Sequence, residues 1–128
     1  MSGSAWALQD AVAAAVMTAV TPVSVYDVVP DPPAYPFVLV GDDAAKDWST
    51  SESHGEDVVI TIHVWSQDSG REELKTLQGQ IYNALHDQNL AVSGYSVAAL
   101  VFVSSESVFD EEKAALHGIS KFRCLLSA

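Results

Sequence analysis

The residues best equipped to act on a substrate crowd into one stretch, ITIHVWSQDSGREE (residues 60–73), where His63, Ser66, Asp68 and Ser69 fall within seven positions. A hydroxyl nucleophile with an imidazole base is the chemistry such a set could perform. It requires the base within hydrogen-bond reach of the hydroxyl, and donors aimed at a developing oxyanion. The same residues also have a plainer use. His63 lies mid-strand in an alternating apolar pattern, and Ser66, Asp68 and Ser69 stand where a strand gives way to a helix. Ser and Asp are common there because their side chains cap free N–H groups. No G-x-S-x-G elbow is present. Capping is the favoured reading and a small hydrolase the less favoured one. A catalytic His63 would lose function without unfolding in His63→Ala, whereas a structural one would mainly lose stability.

The remaining donors form no recognisable site. His54, His63, His86 and His117 have no metal-ligand spacing, and a single cysteine, Cys124, excludes thiolate zinc sites. Cys124 stands in an apolar run, so a buried, inert thiol is expected rather than a reactive one. The acidic stretch DDAAKDWSTSESHGED (residues 42–57) lacks the EF-hand ligand pattern with its central glycine. No phosphate-cradling glycine loop occurs. Neither a cofactor nor a metal is expected.

These groups have to be placed by a fold. A chain of 128 residues suits one domain able to bury a core without disulfides or metal. A net charge of -11, from 17 acids against 6 bases, argues against non-specific DNA binding and against anionic membranes. The Ala-rich N-terminal run has no basic residue before Lys46 and is short for a span of about 20 residues, so it reads as a helix of a cytoplasmic protein rather than a signal or membrane anchor.

Along the chain, Ser4 is a candidate N-cap, and Leu8, Val12, Ala15, Val16 and Ala19 form a helical stripe ended by Thr21-Pro22. VSVYDVV is short and β-prone, and PDPPAYP is a stiff corner or, alternatively, a proline-rich ligand. FVLVG (residues 37–41) reads as a buried strand, and residues 42–57 as a long loop or extended hairpin arm. In VVITIHVW (residues 58–65), Val58, Ile60, Ile62 and Val64 point one way and Val59, Thr61, His63 and Trp65 the other. Ser69 and Glu72 have the spacing of a capping box opening a helix over 70–87, with Leu74, Leu77, Ile81, Ala84 and Leu85 as its buried stripe. Residues 96–105 and 119–126 read as strands joined by a polar connection or arm. The order predicts an α+β domain spanning 1–128, with a mostly antiparallel sheet of about four main strands and two helices packed on one face. Trp48, an aromatic in a polar arm, either folds back on its own domain or serves an interface.

Taken in order, VYDVVPDPPAYPFVLVG, Asp47-Trp48, VVITIHVWSQDSGREELKTLQGQIYNALHD and the closing HGISKFR resemble the tail terminator (tail completion, head–tail joining) family of long-tailed phages and gene transfer agents. The similarity runs over nearly the whole chain. Its most specific part is Val64-Trp65-Ser66, then Gly70, then the helix ending Ala84-Leu85-His86, supported by Val29-Pro30 and Tyr35-Pro36. The chain departs from the pattern at SVFDEEKAAL, where relatives often carry a glycine-containing tight turn. The resemblance implies a structural, non-enzymatic protein with no catalytic residues to carry over. Its expected partners are copies of itself in a ring (typically a hexamer), the tail tube protein, and a head–neck stopper or adaptor. DNA would pass through the ring unbound. The protein would be made in the host cytoplasm and end at the neck of the particle. Another head–tail connector is the alternative. The candidate subunit or tube interface is Asp42, Asp43, Asp47, Trp48, Glu52 and Glu56.

Overall fold

A computed structural model describes residues 4–128. Helix α1 (Ser4–Val20) is followed by strands β1 (Ser24–Tyr26), β2 (Phe37–Asp47) and β3 (Gly55–Ser66), helix α2 (Glu72–Leu85), and strands β4 (Ser96–Asp110) and β5 (Ala115–Ser127). The strands form one sheet in the order β1-β2-β3-β5-β4. All pairings are antiparallel except that of the short β1, which runs parallel to β2. The expected α+β class and the placing of both helices on one face hold. The sheet has five strands, the fifth being the three-residue β1.

The core follows from the period-two pattern of β3 and β5 and the four-residue spacing of α1. Val58, Ile60, Ile62 and Val64 of β3, with Phe122, Cys124 and Leu126 of β5, meet Leu8, Val12, Val16 and Val20 of α1 and Leu74, Ile81 and Leu85 of α2. Cys124 is fully buried, and burial pushes its thiol pKa up to about 11, as befits an inert core residue. The two helices pack on each other and lie across the same side of the sheet.

Among the described residues no helix covers the sheet's opposite side. In β5 that open face bears His117, Ile119, Lys121, Arg123 and Leu125, which alternate with the core-facing residues. One end of it holds a second cluster, in which Phe37, Trp65 and Ala115 are buried against Tyr26 of β1, Val29, and Tyr35 of the proline-rich corner.

Three local expectations are corrected. The Ser69–Glu72 capping box does not form: α2 begins at Glu72 behind Arg71, and no side chain caps it. The connection after residue 105 is no loose arm, because β4 runs on to Asp110 and turns tightly into β5 through residues 111–114, where Ala114 takes φ 51 in the position a glycine would favour. The helix also stops short of Asp87. His86 leaves the helical conformation, and Asp87, at φ 61, donates its N–H to the Leu100 carbonyl at 2.7 Å.

Candidate functional site

The pleat of β3 decides the question posed by its His and Ser. Residues three apart on a strand point to opposite faces. His63 stands on the open face, while Ser66 is buried and donates to Glu73 Oε1 at 2.6 Å. Asp68 donates its N–H to Ser66 Oγ at 3.2 Å, and Asp68 Oδ1 accepts the Ser69 N–H at 2.9 Å. The strand-to-helix turn thus closes on its own backbone. None of these serines or Asp68 is among the hydrogen-bond partners of His63.

His63 instead joins a chain of hydrogen bonds across three strands. Its Nε2 lies 2.8 Å from Asp42 Oδ2, and its Nδ1 lies 2.8 Å from His117 Nε2. A carboxylate can only accept, so Nε2 of His63 carries the hydrogen. In the neutral ring its Nδ1 is then the acceptor for the His117 Nε2–H. His117 stacks on Trp65, with ring centroids 3.8 Å apart and planes 8° apart, and Lys113 Nζ stands 5.6 Å from the Trp65 ring centre. Burial, and then the neighbouring His63, hold the pKa of His117 below its usual value, against smaller opposing contributions from Asp110 and Glu106. Asp42 sits at a bulge, where the β2–β3 register shifts between Gly41 and Asp43, and it takes φ 55. Among the described residues no group of three His, Cys, Asp or Glu is placed to hold a metal ion, and no helix is long and apolar enough to cross a membrane.

The acidic stretch 42–57 is an extended hairpin. Asp43 pairs with Ile60 and Asp47 with Glu56, and only residues 48–54 lie outside the strands. The Trp48 N–H donates to the Gly55 carbonyl at 2.9 Å, and the indole lies close over Gly55, where an added Cβ would come within 2.7 Å of the Trp48 carbonyl oxygen. Trp48 therefore folds back on its own hairpin, yet it stays 43% exposed. Asp43, Asp47 and Glu52 are exposed. Ser49 Oγ donates to Asp47 at 2.6 Å, and Glu56 accepts from Ser4 Oγ at the start of α1. The candidates Asp42, Asp43, Asp47, Trp48, Glu52 and Glu56 thus share one hairpin, while Asp42 and Glu56 are also tied into the domain.

Asp57 differs from the other acids of this stretch. It is 4% exposed and accepts two hydrogen bonds from Arg123, at 2.9 and 2.7 Å, with Lys46 Nζ at 3.9 Å. The Arg123 bond holds its carboxyl below the usual range. Neither this pair nor the His63–His117 contact is readable from spacing, because both depend on the β3–β5 register. The signal present in the sequence was alternation, which puts Arg123 and His117 on one face of the last strand.

Comparison with known proteins adds what this geometry cannot. A solved chain from the virion of a native gene transfer agent particle superposes over 100% of both chains with a TM-score of 0.88 at 22% identity, a likeness of fold. The tail completion protein gp17 of Bacillus phage SPP1 is 29% identical over 89 residues, 70% of this chain and 66% of that relative's length. The model of the family described as Tail completion protein gp17 matches residues 5–127. With nearly its whole length matched, the chain belongs to the tail completion protein gp17 family.

Proposed function

We propose that this chain closes the head-proximal end of a phage-like tail tube as a ring of identical subunits, with six as the expected number. The ring stops tube growth and offers a docking face to the head–neck stopper or adaptor. The observation that carries this reading is the family match over residues 5–127. The fold shared with a chain of a gene transfer agent virion and the gp17 relative agree with it. Its role is structural, not enzymatic, and its partners are its own copies, the tube protein and the neck protein. It is made in the host cytoplasm and ends at the neck. An acidic surface suits a ring that DNA passes without being held.

The acidic hairpin is the proposed contact with a neighbouring subunit or the tube. Trp48 is its anchor, since a half-exposed indole on a polar arm has apolar surface left to bury.

Electron microscopy of particles from a producer lacking the gene tests the reading. Filled heads beside overlong, unattached tails are expected. Tails of normal length with empty or leaking heads would move the protein to the head side of the joint. Complete, normal particles would overturn the structural role.

A further inference from the structure

The charge of this protein is segregated. The open face of the sheet and the β4–β5 turn at its end carry Asp42, Asp57, Glu106, Asp110, Glu111 and Glu112 together with Lys46, Lys113, Lys121 and Arg123, four of the chain's six bases. Most of the net charge of -11 therefore belongs to the rest of the surface. Two copies approaching through their acidic surfaces bring acid against acid.

The open face also has apolar side chains to spare. Val101 and Val108 of β4, 37% and 47% exposed, lie opposite Arg123 and His117 of β5. Val103, 51% exposed, stands at a bulge of the same strand. Between them Lys121 is exposed, and no salt bridge among the described residues involves it. A face of this kind, with exposed apolar side chains, most of the chain's bases and an uncommitted cation, complements an acidic segment with an aromatic tip. The hairpin that carries Asp47, Trp48 and Glu52 is such a segment.

We infer that the helix-free sheet face of one copy receives the hairpin tip of the next, with Lys121 facing the tip's carboxylates and Trp48 seated against the apolar β4 side. The inference rests on the ring reading above and names the surfaces that close the ring. Two different surfaces meet at each contact, so the contact is head-to-tail, the kind that makes a ring when its rotation closes. A face with no net positive charge is poorly suited to DNA, so a second copy is the better occupant.

A charge-reversal pair tests it. Lys121→Glu, folded by circular dichroism, is expected to cut the amount of this chain retained in purified particles by about tenfold or more, because every contact of the ring then opposes like charges. The milder Lys121→Gln should give a smaller loss. Adding Glu52→Lys to Lys121→Glu should restore retention. Full retention in Lys121→Glu would overturn the inference, as would a loss that Glu52→Lys does not repair. Rings of Lys121→Glu that form normally but fail to join the tube would assign the face to the tube protein instead. Absence of the unaltered chain from particles would count against the ring reading itself, a result separable from all of these.

Discussion

Asp42 offers a test in which backbone and side chain can be weighed separately. It holds φ 55 at the β2 bulge, and its carboxylate accepts from His63 at 2.8 Å. Left-handed backbone costs an ordinary L-residue about 1–2 kcal/mol, less for Asp or Asn and almost nothing for Gly. The hydrogen bond contributes at most about 1 kcal/mol, because the Asp42 side chain is 77% exposed and solvent screens the interaction. Asp42→Asn keeps an acceptor and tolerates the conformation, so it should be nearly neutral. Asp42→Gly loses the acceptor but relieves the backbone, for a net cost of about 0–1 kcal/mol. Asp42→Ala loses both and should cost about 2 kcal/mol. The Ala–Gly gap of about 1 kcal/mol corresponds to roughly 4 °C in Tm for a domain of this size. Urea denaturation midpoints of the three variants would measure it. If Gly and Ala are equally destabilised, the backbone argument fails and the carboxylate alone matters. If Ala is neutral, neither argument stands.

Other predictions follow from the hairpin, the histidine pair and the core. Gly55→Ala should destabilise the protein by about 1–3 kcal/mol, since its Cβ would meet backbone at 2.7 Å rather than a flexible side chain, and indole fluorescence should report a displaced Trp48. Stability should fall as pH drops below about 6.5, because the unfolded chain then protonates His117 while the folded chain, with its lowered pKa, resists; denaturation of His117→Phe across pH 7 to 5 should show a shallower slope. A second acid loss, below about 3.8, belongs to Asp57, whose folded carboxyl stays ionised to lower pH than in the unfolded chain. Phe122→Ala, at a fully buried site, should cost about 3–5 kcal/mol by calorimetry.

Much of the scaffold was legible because its signals are periodic. The four-residue spacing of Leu8, Val12 and Val16 and the two-residue spacing of Val58, Ile60 and Ile62 each name the face that is buried, and the structure buries those faces. Signals that depend on a single residue's backbone were read less well. Ser69 and Glu72 had the spacing of a capping box, but the turn was closed by Ser66 and Asp68, one strand-end earlier. The lack of a glycine in residues 111–114 concealed a tight turn that Ala114 makes at positive φ. In GDD, the glycine would be expected to take the left-handed position, yet Asp42 takes it, held by His63. Counting by twos from Val40 then puts Ala44 and Lys46 on the wrong side, and Lys46 in fact faces Asp57 across the open face. Asp57 looked like one more loop acid because the arginine that pairs with it lies 66 residues away. Contacts set by register across distant strands leave no local pattern to read.

The outer edge of β4 bears on how the chain avoids growing a sheet with other chains. A 15-residue edge strand is a template on which other chains can grow a sheet. Here the Leu100 carbonyl and Phe102 N–H are already occupied by Asp87 and His86. The register slips twice along the strand, and the stretch beyond Phe102 carries Ser104, Ser105, Glu106 and Ser107. Interrupted bonding, local twist and polar side chains make the edge a poor seed for stacking. Straightening that edge by deleting Val103 would be expected to make the chain more prone to aggregate, a change that light scattering of the purified protein would measure.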